Sequence, residues 1–159
     1  MMIEKTLRSY TANCFEVKVA YEKEQEDGKQ KTVIELYVVE AYSFSEAEET
    51  IIKEMSAYVI GDIEVKSITP AKYHEVFFSE DEGANKWFKA KLEFISIDEK
   101  TEKEKRNKVF YLVHGNTIDD ANNIIKSIMD STIIDYIISS VSETKIMDLF
   151  VNEAKRDKE

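Results

Sequence analysis

The chain has 159 residues, of which 43% are hydrophobic, 11% aromatic and 34% charged, a supply of core-forming side chains that argues against intrinsic disorder. Its 32 acidic and 22 basic residues leave a net charge of −10; that balance disfavours a nucleic-acid backbone as the main partner, and the interspersed lysines disfavour a DNA mimic. Cys14 is the single cysteine, which excludes an intrachain disulfide, and no apolar run approaches the ~20 residues of a spanning helix.

Residues 1–13 read as an arm, MMIEKTLRSYTAN, without the apolar stretch of a secretory signal. Phe15, Val17, Val19 and Tyr21 then alternate with Glu16, Lys18 and Glu22, the period of a half-buried strand. The charged segment 22–31 carries Gly28 and reads as a hairpin tip. TVIELYVVEA, residues 32–41, is apolar on both faces apart from Glu35 and Glu40, as expected of a strand inside a sheet. A helix is expected over 44–60: Ser43 caps it, Glu46 stands at capping-box spacing, Phe44, Ala47, Ile51, Met55 and Val59 form its stripe, and Gly61 closes it. Ile63, Val65 and Ile68 mark a third strand, ended or kinked by Pro70, and 73–78 continues it as an extended segment. SEDEGAN, residues 79–85, is a polar linker.

The order then repeats. Phe88, Ala90, Leu92 and Phe94 alternate with Lys89, Lys91 and Glu93; 98–108 is a second charged tip; 109–113 is a central strand. Thr117 and Asp120 open a helix expected over 118–134, with Ile118, Ala121, Ile125, Ile128 and Met129 as its stripe. Ile137, Ile138 and Val141 begin the last strand, which runs through SETKIMDLF to Phe150, and 151–159 is a loose polar tail. Individual residues recur with this order. Phe15, Lys18, Lys72 and Phe77 return as Phe88, Lys91, Lys145 and Phe150, and Tyr37, Ala47 and Ile51 as Tyr111, Ala121 and Ile125. The spacing is 73 or 74 residues throughout, the mark of one unit used twice. The expectation is a single α+β domain spanning 1–159, built of two strand–strand–helix–strand repeats, 14–78 and 87–150. Its sheet is mainly antiparallel with helices on one side. Central strands apolar on both faces also predict self-association, most simply as a dimer.

Recognised chemical signatures are missing. The four glycines, at 28, 61, 83 and 115, are too dispersed for a phosphate-binding loop. His74 and His114 are not at ligand spacing and have no cysteine partner, so no metal and no cofactor is expected. Cys14 occupies the position of Trp87 in the repeat and reads as a buried structural thiol. The most suggestive polar cluster is Ser142, Glu143, Thr144 and Lys145, in register with Thr69, Pro70, Ala71 and Lys72. If the repeats pair about a pseudo-twofold, Lys72 and Lys145 flank one pocket suited to an anion. Tyr73 and Trp87 are then available for stacking, and Ser142 and Thr144 for hydrogen bonds. The plainer reading is a surface turn with a salt bridge beside aromatic core packing.

Three stretches, FEVKVAYEK, FFSEDEGANKWFKAKLEFISIDEK and SVSETKIMDLF, resemble an uncharacterised family of unknown-function domains found in Bacteroidetes bacteria and their phages. The similarity spans roughly 14–150. The chain departs from it at Cys14, where the family tends to an aromatic residue, and in its N-terminal arm. The resemblance implies a small cytoplasmic protein, often phage-encoded, and brings no activity with it. Together these readings favour a non-enzymatic accessory protein that sequesters a small anionic molecule, such as a nucleotide-derived host defence signal. The alternative is an interaction or structural module that meets a host or phage protein through sheet edges and charged hairpins. A third class is a small enzyme whose site carries no recognisable motif.

Overall fold

The computed structural model describes residues 13–79, 81 and 83–151. The expected arm, but for Asn13, and the expected tail, but for Val151, lie outside the described residues. The elements in chain order are β1 (Asn13–Glu24), β2 (Gln30–Ala41), α1 (Phe44–Met55), β3 (Glu64–Ala71), β4 (Glu75–Phe77), β5 (Lys86–Ile97), β6 (Glu104–Gly115), α2 (Ile118–Met129), β7 (Asp135–Glu143) and β8 (Ile146–Phe150). Strand, strand, helix, strand and a short final strand thus occur in the same order in both halves.

The final strands are exchanged between halves. One four-stranded sheet has the order β3-β1-β2-β8 and the other β4-β6-β5-β7. Among the described residues, the first compact unit comprises 13–72 and 145–151 and the second 73–144. The sequence reading had each repeat keep its own terminal segment in one mainly antiparallel sheet. The structure instead forms two mixed sheets, each with two antiparallel pairings and one parallel pairing at its edge. Connection length explains the difference. β3 ends beside the start of β1, and a strand parallel to β2 on the far edge of that sheet would have to begin at the opposite end. Such a crossover takes about a dozen residues or more, whereas residues 72–74 are all that separate β3 from β4.

Each unit has its own helix against one face of its sheet. In the first, Ala47, Ile51 and Met55 of α1 pack on Phe15, Val17, Val19, Tyr37 and Val39. In the second, Ala121, Ile124, Ile125 and Met129 of α2 pack on Phe88, Ala90, Leu92, Tyr111 and Val113. β2 and β6 are interior strands, as their two-sided apolar pattern indicated. Val38 and Leu112, on the faces away from the helices, are fully buried.

Both helices stop short of their expected ends at 60 and 134. α1 ends at Met55, with Ser56 as its cap, so Gly61 does not close it but lies in the following loop at φ +110°. Hydroxyl groups end the helices instead: Ser56 Oγ donates to Lys53 O, Ser131 Oγ to Ile128 O and Thr132 Oγ1 to Met129 O. These bonds satisfy carbonyls that a helix terminus leaves free. At the other end Ser43 accepts from Glu46 N at 3.1 Å, and Thr117 and Asp120 form a reciprocal capping box.

The hairpins are longer than the charged sequences imply. β1 and β2 stay paired out to Glu24 and Gln30, leaving a turn over 25–29 with Gly28 at φ +82°. β5 and β6 pair out to Ile97 and Glu104. Backbone pairing does not depend on apolar side chains, so an exposed two-stranded arm keeps its ladder while carrying charge on both faces.

Candidate functional site

A concave corner of the first unit lies at the base of the β1–β2 arm. β3 begins at Glu64, opposite Ala20. Past that point Tyr21–Glu24 is paired with β2 alone, and the other edge of β1 has no strand beside it among the described residues. The α1–β3 loop bends round this free edge, with Gly61 in the left-handed region that other residues rarely adopt. Two adjoining cavities result. One, of about 550 Å³, is lined by Ala20, Tyr21, Glu22, Thr32 and Ile60 to Glu64. The other, of about 410 Å³, lies against Tyr21 to Glu24, Gln30 and Tyr58 to Ile60.

The corner is both apolar and acidic. Ile60 is 100% exposed and Tyr58 80%. Glu22, Glu24, Asp62 and Glu64 stand around them, with Lys23 as the basic residue in the lining. Lys66 offsets Glu64 through a 3.3 Å ion pair.

Tyr21, which lines both cavities with Glu22 and Ile60, is held by hydrogen bonding. Its hydroxyl donates to Glu35 Oε1 at 2.8 Å, and the Tyr37 hydroxyl donates to the same oxygen at 2.9 Å. Burial, followed by the hydrogen bond to Glu35 and its negative charge, pushes the Tyr21 phenol up to about 12. The same causes, in the same order, raise Tyr37. Tyr37 also stacks on Phe150 at 5.6 Å, so the exchanged strand β8 helps fix this network.

The residues singled out in the sequence fall in other places. Trp87 is 2% exposed and stacks on His114 at 4.5 Å, with Phe78 edge-on at 5.2 Å. Its backbone carbonyl accepts from both the N–H and the Oγ1 of Thr144, at 2.9 and 2.8 Å. Tyr73 is 2% exposed, with the Lys89 ammonium 5.9 Å from its ring centre and 4.9 Å from that of Phe110. Ser142 is exposed and sits directly across from Lys89 on β7. Tyr73, Trp87, Ser142 and Thr144 therefore share the second unit, with both rings engaged in packing.

Lys72 and Lys145 are both exposed and both belong to the first unit. Lys72 directly follows β3 and Lys145 directly precedes β8, the two opposite edges of one sheet. Three strand spacings of about 4.8 Å separate those edges, roughly 14 Å, and the two residues are also offset along the strands. This sheet does not set them side by side. Sequence reasoning missed Tyr21, Glu35, Lys89 and Ile60 as partners in polar or exposed clusters. Two isoleucines flanking the helix–strand loops at a spacing of 73, Ile60 and Ile133, were the available signal; both are fully exposed, at 100% and 103%.

Among the described residues, no group of three or more His, Cys, Asp or Glu is placed to hold a metal ion. No helix among them is long and apolar enough to cross a membrane. Cys14, 2% exposed, is a buried cysteine in no disulfide. The fold is thus α+β, with two mixed four-stranded sheets, each carrying one helix. The chain belongs to the family described as a domain of unknown function, DUF4494, whose pattern matches residues 13–152. No curated protein and no solved structure matches it significantly.

Proposed function

We propose that this protein is a non-enzymatic interaction module whose working surface is the corner at the base of the β1–β2 arm. The observation that carries this reading is the pairing of a free strand edge, Tyr21–Glu24, with two large exposed side chains, Tyr58 and Ile60, beside cavities of about 550 and 410 Å³. Strand edges and exposed apolar side chains are the features through which proteins take extended partners. A photo-crosslinking residue at position 60 tests it in cells. Protein adducts are expected from position 60 at a yield well above a helix-surface control at Glu48. Equal or absent labelling overturns the reading.

The sequestering role read from the sequence stands as a second proposal. Supporting it, Lys72 and Lys145 are both exposed, each at a point where the chain passes from one unit to the other. In that reading the ligand is a small nucleotide-derived anion, such as a host defence signal. The setting is the Bacteroidetes or phage context that the family resemblance implies, in the cytoplasm. Calorimetry of the wild type and of the K72A/K145A double variant against cyclic and linear nucleotides decides it: binding lost in the variant supports the role, and no binding across the panel removes it. We further read the two halves as copies of one strand–strand–helix–strand–strand unit, and the protein as a homo-oligomer, most simply a dimer. A monomer by light scattering at high micromolar concentration would overturn that last point.

A further inference from the structure

We infer that the partner of this corner is an extended basic peptide, with Lys or Arg residues on either side of an apolar one. The inference rests on the interaction-module reading and names its partner chemistry.

Three features converge on it. The first is the backbone. β1 overruns β3 by four residues, Tyr21–Glu24, so a chain entering in line with β3 meets unpaired N–H and C=O groups and adds as a strand. The second unit has a shorter overrun, since β7 reaches Ile95 and leaves Ser96 and Ile97 of β5 beyond it. The second feature is charge. Glu22 and Glu24 project to the same side of β1, being two residues apart, and Asp62 and Glu64 come from the loop and the start of β3. An approaching acidic peptide meets four carboxylates against Lys23 and Lys66, whereas a basic one gains at each. The third is apolar area. The fully exposed Ile60 and largely exposed Tyr58 line the same cavities as these carboxylates, so an apolar residue among the basic ones removes them from water.

Tyr21 makes the site more than a collection of charges. Tyr21 lines both cavities, together with Glu22 and Ile60, and its hydroxyl is committed to Glu35. The groove therefore has one fixed side. At the spacing of the repeat, the second unit has Phe94 and Val109 where the first has Tyr21 and Glu35, and it has Ile133 where the first has Ile60.

The test uses the full chain against a display library of short random peptides, with enriched sequences then made as fluorescein conjugates for polarisation measurements. Enrichment of Lys or Arg around Leu, Ile or Phe is expected, with binding that weakens as salt rises. The E22K/D62K double variant is expected to weaken binding by about tenfold or more, and I60S several-fold. The E48K/E49K variant changes net charge equally on the exposed face of α1 and is expected to bind like the wild type; circular dichroism confirms that each variant is folded. If E48K/E49K weakens binding as much as E22K/D62K, the attraction is general and the inference falls. If acidic or uncharged peptides are enriched, or the groove variants change nothing, the partner chemistry or location is wrong while the interaction-module reading survives. If no peptide is enriched, both fall.

Discussion

The two units share a frame and differ in where they keep polar groups. In the first, Glu35 accepts from Tyr21 and Tyr37 beneath the helix-facing side of the sheet. In the second, the matching positions are Val109, Phe94 and Tyr111, and the Tyr111 hydroxyl turns to Met129 Sδ at 3.7 Å. The faces away from the helices differ in side chains: Glu16 and Glu40 in the first correspond to Lys89 and His114 in the second. Residues that build the frame recur almost unchanged, Ile51 with Ile125 and Ala47 with Ala121. Carboxylates and phenols concentrate at one end of the first unit, next to the groove.

The largest expected effect comes from breaking the frame on each side. Ile51→Ala and Ile125→Ala remove equivalent, fully buried side chains, and each should cost about 2–5 kcal/mol. Each unit holds all four strands of its own sheet, the exchanged strand included. Each variant should therefore lower the calorimetric transition of its own unit. A single transition displaced equally by both variants would overturn that expectation.

Next in size is the polar network that separates the units. Glu35→Val installs the residue of the second unit and leaves two tyrosine hydroxyls without their acceptor, a loss of about 1–3 kcal/mol. It also changes the alkaline limb of stability. The folded Tyr21 phenol titrates near 12 against 10 when unfolded, so the folded state holds its proton longer. That contribution is complete below pH 10 and is lost as pH rises from there through about 12. In E35V the fall should become shallower and the tyrosinate absorbance should appear at lower pH. An unchanged tyrosinate titration would show that burial alone sets the shift.

How much of this was legible beforehand follows from what each signal measures. Period-two alternation and capping residues report local structure, so the order of elements was readable, as were the Ser43 and Thr117 caps. The exchange of β4 and β8 was not, because a repeat leaves the same sequence pattern whether a terminal strand pairs at home or away. The deciding quantity was the three-residue connection 72–74, too short for a parallel crossover, and it shows only once strand order is considered. The charged tips hid the outer parts of β1, β2 and β6, since apolar periodicity is silent about an exposed ladder. The groove was illegible for a related reason: it is made by a strand overrun and a loop, neither of which has a periodic signature. Trp87 and Tyr73 were read as available for stacking on a ligand, yet their rings are packed, as large apolar side chains more often are.

Smaller effects are expected at the helix caps. Thr117→Ala removes one arm of a reciprocal box and Ser43→Ala a single side-chain acceptor. Each should cost about 0.5–2 kcal/mol, read from chemical denaturation at constant slope, with the Thr117 variant the more affected. Equal losses would mean that a hydroxyl acceptor is worth the same whether or not a reciprocal carboxylate bond stands beside it.

The smallest effect on stability is expected where the sequence pointed most strongly to a site. Lys72 and Lys145 are exposed and lie just outside β3 and β8. The apolar contacts nearby come from Ile146, Leu149 and Phe150 rather than from the lysine stems. Changing both to Ala should leave stability within about 0.5 kcal/mol of the wild type. The two lysines also stand on opposite edges of one sheet, so if they bind anions they do so as separate charges and the single variants should be additive. If instead one anion engages both, the double variant loses no more than the first single variant does. A double-mutant cycle in nucleotide binding, read by calorimetry, separates these cases: non-additive losses with unchanged melting temperature would restore a shared site, and the comparison of units would then have to give the two lysines equal weight with the groove.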